Sequence, residues 1–153
     1  MRSKKGLIIF LCLTLAVAAL VMYMGSRGAN QSYGQSSWVL SWFTKLVPFF
    51  GKLPQGRQVY LIRRMAHAFE YGIFALCCSA LLFSIGKIEK KWACGAVTML
   101  ATFGLACIDE LLIQAGTAGR TGTFKDVLFD CASALVVAII VMIVKYKHDG
   151  KNQ

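Results

Sequence analysis

Acidic residues are scarce in this chain. It has 7 Asp and Glu against 17 Lys and Arg, which gives a formal net charge of +10. Such a balance could indicate a nucleic-acid partner. The basic residues, however, flank long apolar segments and do not cover a polar face, which is the pattern that orients a protein in a membrane. We therefore expect no nucleic-acid partner.

Charge of either sign is also sparse, because 16% of the 153 residues are charged and 57% are hydrophobic. The apolar residues are concentrated in four runs, at residues 7–24, 59–85, 92–114 and 124–144. Each run is long enough to cross a bilayer as a helix. The sequence predicts an all-α integral membrane bundle of four transmembrane helices, forming one domain over residues 1–153.

Several familiar site motifs are missing. The six cysteines all lie inside apolar runs, and none forms a CxxC or Cys/His metal spacing. The stretch AGTAGRTG lacks the GxxxxGK[ST] order of a phosphate loop, and no GxSxG nucleophile motif is present. We therefore expect no metal site and no cofactor.

The first apolar run could belong to a cleaved signal peptide or to a membrane helix. A signal peptide has an apolar region of about 7–15 residues that ends at a small-x-small site. This run is longer and ends in Met22-Tyr23-Met24, which favours an uncleaved transmembrane helix.

Residues 38–50 are too short to span a bilayer. Trp38, Trp42, Leu46 and Phe49 recur at helical spacing, and such a face favours the membrane–water boundary. We predict a short interfacial amphipathic helix here, preceded by a loop at residues 25–35 and followed by a link at residues 53–58.

Basic residues cluster at the N-terminus, in the turn at residues 86–91 and in the polar tail from residue 145. In a four-span protein these three places lie on one side, and the positive-inside rule assigns that side to the cytoplasm. Both termini are therefore predicted to be cytoplasmic in a bacterial cytoplasmic membrane.

This topology brings ionisable side chains together at the outer ends of the helices. Five of the seven acids are among them, and the group comprises Arg63, His67, Glu70, Asp109, Glu110, Arg120, Asp126 and Asp130. Ionisable residues in a membrane need partners and usually mark a functional site. Arg63 or Arg120 could pair with Asp126, Asp130 or Glu110.

Simpler roles remain open for individual residues. His67 could be satisfied by Glu70 on the same helical stripe, and Tyr71 could be an interfacial aromatic. Asp126 and Asp130 could serve only to stabilise a helix N-terminus through its dipole.

The motifs RRMAHAFEY, SSWVLSW and DELLIQAGTAGRTGTFKDVLFD resemble those of the VanZ-like family of small membrane proteins. The resemblance covers most of the chain. It departs from the family pattern in two respects. Gln114 follows Asp109 and Glu110 one residue later than in the family's DExxQ, and no proline precedes Gly119 and Arg120, where many relatives have one. The resemblance implies a Gram-positive cell envelope setting and an association with low-level teicoplanin resistance, but no particular reaction.

Two functions follow as expectations. The first is binding of membrane lipids or a lipid-linked cell-wall precursor at the outer leaflet, through Arg63, Asp109, Glu110, Gln114 and Arg120. The second is an enzyme acting on a lipid headgroup or lipid-linked glycan, with His67 and Glu70 as general base and Asp126 or Asp130 as acid or orienting group. A proton-coupled carrier is disfavoured because nothing polar continues to the inner side, although an oligomer could alter that.

Overall fold

The computed structural model describes residues 4–86 and 90–150, and within these ranges the chain is helical apart from short connections. The main helices are α1 (Lys4–Gly25), α2 (Ala29–Leu46), α3 (Gln55–Ile85), α4 (Lys91–Cys107) and α5 (Phe124–Gly150). A 3₁₀ turn occupies Pro48–Lys52, and a π-helical segment, Ile108–Gln114, continues α4. Four of these helices, α1, α3, α5 and α4 with its π-helical extension, are long and apolar enough to cross a membrane. The all-α fold with four membrane-length helices is confirmed.

Two of the long helices extend further than predicted. α3 begins at Gln55, so most of the predicted link at residues 53–58 is its first turn. The Gln58 amide donates to the carbonyl oxygens of Leu53 at 2.6 Å and Gly51 at 3.1 Å, which holds that turn against the preceding chain. α5 likewise extends through most of the predicted tail, where Lys145 and Asp149 form an i,i+4 ion pair at 3.0 Å.

α2 also differs from the prediction. It begins at Ala29, inside the predicted loop at residues 25–35, and ends at Leu46 rather than continuing to residue 50. Serine, asparagine and glutamine tolerate a helix when no proline interrupts them. The helix ends before Pro48 because proline disfavours helical geometry in the residue that precedes it, and Val47 is extended, with φ −127° and ψ 81°.

α2 packs on the start of α3 through Leu40, which clusters with Val59 and Ile62. Its two tryptophans are largely exposed, Trp38 by 67% and Trp42 by 57%. This exposed aromatic face agrees with an interfacial position, which stays a prediction. The cytoplasmic location of the termini also stays a prediction, and the basic residues at 1–3, 87–89 and 151–153 lie outside the described ranges.

α3 is the central helix, packed against α1, α4 and α5. The core includes small and aromatic side chains from all four long helices: Val21, Tyr71, Phe74, Ala75, Cys78, Leu105, Ala106, Val127 and Ala134. Ser79 and Thr98 form a buried hydroxyl hydrogen bond of 3.1 Å between α3 and α4, a common contact between membrane helices. Small core residues let the helices approach closely, so side chains of different helices can meet at the bundle's end.

Candidate functional site

The site lies at the end of the bundle where α1 finishes, α3 and α5 begin, and the π-helical segment closes α4. The cysteines form no disulfide among residues 4–86 and 90–150. The acids Asp109, Glu110 and Asp130 are 1%, 2% and 0% exposed. Burial this complete is unusual for carboxylates and requires compensating contacts.

Gln114 connects two of these acids. Its side-chain nitrogen donates to Asp109 Oδ2 at 2.8 Å and to Glu110 Oε1 at 2.6 Å. Its amide oxygen accepts a hydrogen bond from Arg120 Nη2. Only this orientation of the amide presents a donor to the carboxylates and an acceptor to the guanidinium. Gln114 thus links the loop arginine to the buried acids.

The π-helical geometry explains how Gln114 reaches both acids. A π-helix has i→i+5 hydrogen bonds and arises where one residue is inserted into an α-helix. Ala115 N donates to Glu110 O at 3.1 Å in this i+5 pattern. Within this wider turn both Asp109 and Glu110 face the site and accept hydrogen bonds from the Gln114 amide.

Arg120 contacts the end of α1 and does not form an ion pair with any described carboxylate. Its Nη1 donates to the carbonyl oxygens of Met24 at 3.0 Å, Gly25 at 3.3 Å and Arg27 at 3.4 Å. A cation favours the C-terminal carbonyls of a helix. Burial lowers the pKa of Arg120, and the nearby charge of Arg63 lowers it further, but a guanidinium stays protonated. The expected pairing of Arg120 with Asp126, Asp130 or Glu110 is absent because its donors are turned towards α1 and Gln114.

His67 meets acids from two other elements. Its Nδ1 lies 3.5 Å from Glu110 Oε1 and 3.6 Å from Asp130 Oδ1. Glu70, one turn further along α3, forms no ion pair or hydrogen bond with the described residues. The proposed satisfaction of His67 by Glu70 is therefore replaced by contacts across the bundle.

Asp126 has a local and largely structural role. Its Oδ2 accepts hydrogen bonds from Thr123 N at 3.1 Å and Thr123 Oγ1 at 2.7 Å, which is half of a capping box at the start of α5. Its Oδ1 lies 2.5 Å from Arg64 Nη2. The alternative that Asp126 stabilises the helix start is supported, whereas Asp130 lies deeper and makes no such contact.

Tyr71 belongs to the site, whereas the sequence suggested an interfacial aromatic. It is fully buried, so the interfacial-aromatic interpretation was wrong, and its hydroxyl donates to Asp109 Oδ2 at 3.3 Å. Its position one turn after His67 was the available signal. The sequence left open whether Arg63 or Arg64 faces the cluster, although only Arg63 lies on the helical stripe of His67 and Glu70; in the structure both arginines line the first cavity described below.

Two glycines allow the backbone to approach the acids. A Cβ at Gly25 would overlap the Asp109 carboxylate, and one at Gly122 would overlap the Glu110 carbonyl. Gly119 adopts φ +73°, a left-handed conformation that glycine accepts at no steric cost. Gly25 at the end of α1 and the glycines of the loop before α5 therefore shape the wall of the site.

Two cavities open beside the acids. The first has a volume of about 450 Å³, and its lining includes Arg63, Arg64, His67, Glu110 and Lys125. The second, of about 550 Å³, lies against α2. Apolar and aromatic side chains, including Trp38, Val39, Phe43 and Phe69, form most of its wall, and the charged side chains of Glu70, Asp109 and Arg120 also line it. Arg63 and His67 line both cavities, so a polar space and an apolar space meet at these two side chains.

Four apolar helices around a buried ionisable cluster define a multi-pass membrane protein. The family model described as VanZ/LLP1 matches residues 10–145, and the chain belongs to this VanZ-like family. The match includes every residue of the candidate site. Neither the search of curated proteins nor that of solved structures found a significant match.

Proposed function

We propose that this protein binds the anionic headgroup of a membrane lipid or of a lipid-linked cell-wall precursor at the outer leaflet of a bacterial cytoplasmic membrane. Through this binding it alters susceptibility to glycopeptides of the teicoplanin type. The observation that carries the proposal is the meeting of the polar and apolar cavities at Arg63 and His67. A lipid needs a polar site for its headgroup directly beside an apolar site for its chain.

Cations outnumber acids on the wall of the polar cavity, which favours an anion: Arg63, Arg64 and Lys125 line it together with Glu110 and Asp126. Arg63 and Lys125 line it, and neither forms an ion pair with a described carboxylate. Arginine binds phosphate oxygens through two parallel hydrogen bonds. The volume of about 450 Å³ lies in the range of small-molecule sites and fits a headgroup rather than a whole lipid.

The apolar cavity would take part of the lipid chain. It lies mainly between α2 and α3, and the exposed tryptophans of α2 would hold this helix at the membrane boundary. At 31 residues, α3 is about 46 Å long, against a hydrocarbon core of about 30 Å. A helix of this length can carry Arg63 to headgroup level while residues 64–85, about 33 Å long, span the core.

Lipid binding to the purified full chain, measured by native mass spectrometry, tests the proposal. The probes are phosphatidylglycerol, a polyprenyl diphosphate and, as a zwitterionic control, phosphatidylcholine. We expect a preference for the anionic lipids that Arg63→Ala weakens about tenfold, because one charge-assisted contact is lost. Arg57→Ala is the matched control, since Arg57 is exposed on the same helix and does not line the cavity.

Equal binding of all three lipids, or equal losses in both variants, would contradict the proposal. A cell-based arm compares teicoplanin susceptibility of a deletion strain complemented with wild type, Arg63→Ala or Arg57→Ala at matched membrane levels. The drug effect should follow Arg63→Ala and leave Arg57→Ala unchanged.

Acid–base catalysis on the same headgroup is the second candidate. It is favoured by the position of His67 on the cavity wall with Asp130 behind it, which resembles a general base and its orienting carboxylate. Comparative lipidomics of deletion and wild-type strains would reveal an accumulating headgroup or precursor. An unchanged lipid profile argues against catalysis and leaves the binding function intact.

A further inference from the structure

Four ionisable side chains from three separate elements converge at one side of the polar cavity. His67 and Glu110 line this cavity, Asp109 is close to both, and Asp130 approaches the group through His67 Nδ1 at 3.6 Å. His67 comes from α3, Asp109 and Glu110 from the π-helical segment, and Asp130 from α5. One ligand atom from each of His67, Asp109 and Glu110 lies within 4.8 Å of the other two. Closely spaced metal motifs in the sequence do not reveal these four residues, because they are up to 63 positions apart in the chain.

Unsatisfied oxygens provide an independent observation. Asp109 Oδ1 and both carboxylate oxygens of Asp130 are buried and accept no hydrogen bond. Asp109 is 1% exposed and Asp130 is 0% exposed, so bulk water does not compensate them. Buried polar atoms nearly always have partners, and buried carboxylates either pair with a cation or coordinate a metal.

The protein's own cations do not fill this role. No Lys or Arg among residues 4–86 and 90–150 lies within ion-pair distance of Asp109, Glu110 or Asp130. Arg120 is directed to the carbonyls of α1, and Arg64 is paired with Asp126. Even a protonated His67 would supply one positive charge against three carboxylates.

The distances fit shared coordination better than hydrogen bonding. His67 Nδ1 is 3.5 Å from Glu110 Oε1 and 3.6 Å from Asp130 Oδ1, beyond the usual range of about 2.7–3.2 Å for an N–H···O bond. Two ligand atoms, each about 2.1 Å from one metal ion at a tetrahedral angle, are about 3.4 Å apart.

Neighbouring donors hold the carboxylates in place. Gln114 and Tyr71 donate to Asp109 Oδ2, which leaves Oδ1 as the unsatisfied atom. Outer hydrogen bonds of this kind orient metal ligands in proteins. Gly25 completes the wall, since its missing side chain leaves room for the Asp109 carboxylate.

We propose that His67, Asp109, Glu110 and Asp130 bind one divalent transition-metal cation, Mn²⁺ or Zn²⁺, at this side of the polar cavity. One imidazole nitrogen with three carboxylates suits these ions better than Mg²⁺ or Ca²⁺, which prefer oxygen ligands alone. Because His67 and Glu110 also line the cavity, the cation would be reachable from it. The inference does not depend on lipid binding.

Metal binding to the purified full chain in detergent tests the proposal with the metals alone. Mn²⁺ is titrated by the loss of its free-ion electron paramagnetic resonance signal, and Zn²⁺ by competition with a chromophoric chelator. We expect one ion per chain. Asp130→Asn and His67→Ala should each weaken binding at least about tenfold, while Mg²⁺ at equal concentration should not displace Mn²⁺.

Asp149→Asn is the matched control. It removes an acid from the far end of α5, where Asp149 pairs with Lys91 and Lys145, and it should leave metal binding unchanged. Asp130→Asn preserves side-chain shape and removes a buried charge, so thermal unfolding of the metal-free variant should match or exceed wild type. A folded Asp130→Asn variant that binds both ions as wild type does would overturn the proposal, as would wild-type protein that binds neither. Because no lipid is added, these outcomes are separate from those of the headgroup experiment.

Discussion

Asp126 Oδ1 lies 2.5 Å from Arg64 Nη2, whereas the adjacent Arg63 forms no ion pair with any carboxylate in the described ranges. Consecutive residues on an α-helix point about 100° apart. The two arginines therefore have different tasks, one securing the start of α5 and the other facing both cavities.

Replacement of Asp126 should lower stability because it removes both the Arg64 pair and the capping contacts with Thr123. Asp126→Ala should cost about 1 kcal/mol, seen as a Tm lower by about 2–4 °C for a chain of this size. Differential scanning fluorimetry in detergent measures it. Lys125→Ala, an exposed neighbour, is the control, and an unchanged Tm for Asp126→Ala would remove the structural role assigned to this acid.

Gly25 should tolerate no side chain. Gly25→Ala forces a methyl group into the Asp109 carboxylate, and overpacking of this kind costs about 1–3 kcal/mol. Gly28→Ala is the control, since its Cβ would meet only the Ala118 carbonyl oxygen at an ordinary 3.8 Å. Thermal unfolding of the two variants should separate them, and equal stability would mean that α1 does not press on the acids.

Gln114→Met keeps the side-chain length but removes the hydrogen bonds that the Gln114 amide makes with Asp109, Glu110 and Arg120. Leaving these buried groups unsatisfied should cost about 1–3 kcal/mol. The exposed Gln31→Met is the comparison. Denaturation of both variants in detergent measures the difference, and equal stability would show that the link between loop and acids is energetically unimportant.

The orientation of the bundle is tested by labelling single cysteines in a chain whose native cysteines have been replaced. Thr121 and His148 are both exposed and lie at opposite ends of α5. Because the positive-inside rule places the C-terminus inside, a membrane-impermeant maleimide added to intact cells should label Thr121→Cys, and His148→Cys only after permeabilisation. The reverse pattern would place the site at the inner leaflet.

The membrane-length helices were predictable because their apolar runs are long and nearly free of charge. The helical boundaries were less predictable. Residues 29–35 are mostly polar and include three residues typical of loops, Asn30, Ser32 and Gly34, yet they form the start of α2, where packing of Leu40 on α3 supports the helix. Propensity is a weak guide when tertiary contacts stabilise a segment.

The membership of the site was largely predictable, but its pairing was not. Helical spacing places His67 and Glu70 on one stripe, and it carries no information about which acid of another helix faces that stripe. In the structure His67 contacts Glu110 and Asp130, and Asp126 pairs with Arg64. Such choices depend on the rotation of packed helices, which a single sequence does not specify.

Arg120 joins the loop before α5 to the carbonyl oxygens of Met24 and Gly25 at the end of α1 and of Arg27 just after it. The first helix is therefore a wall of the site that holds the acids. A chain shortened to begin after residue 25 would leave Arg120 without the carbonyl partners of Met24 and Gly25 and would remove the backbone against which Asp109 rests. Topology reporters fused to truncated versions of this protein should accordingly keep α1 in place.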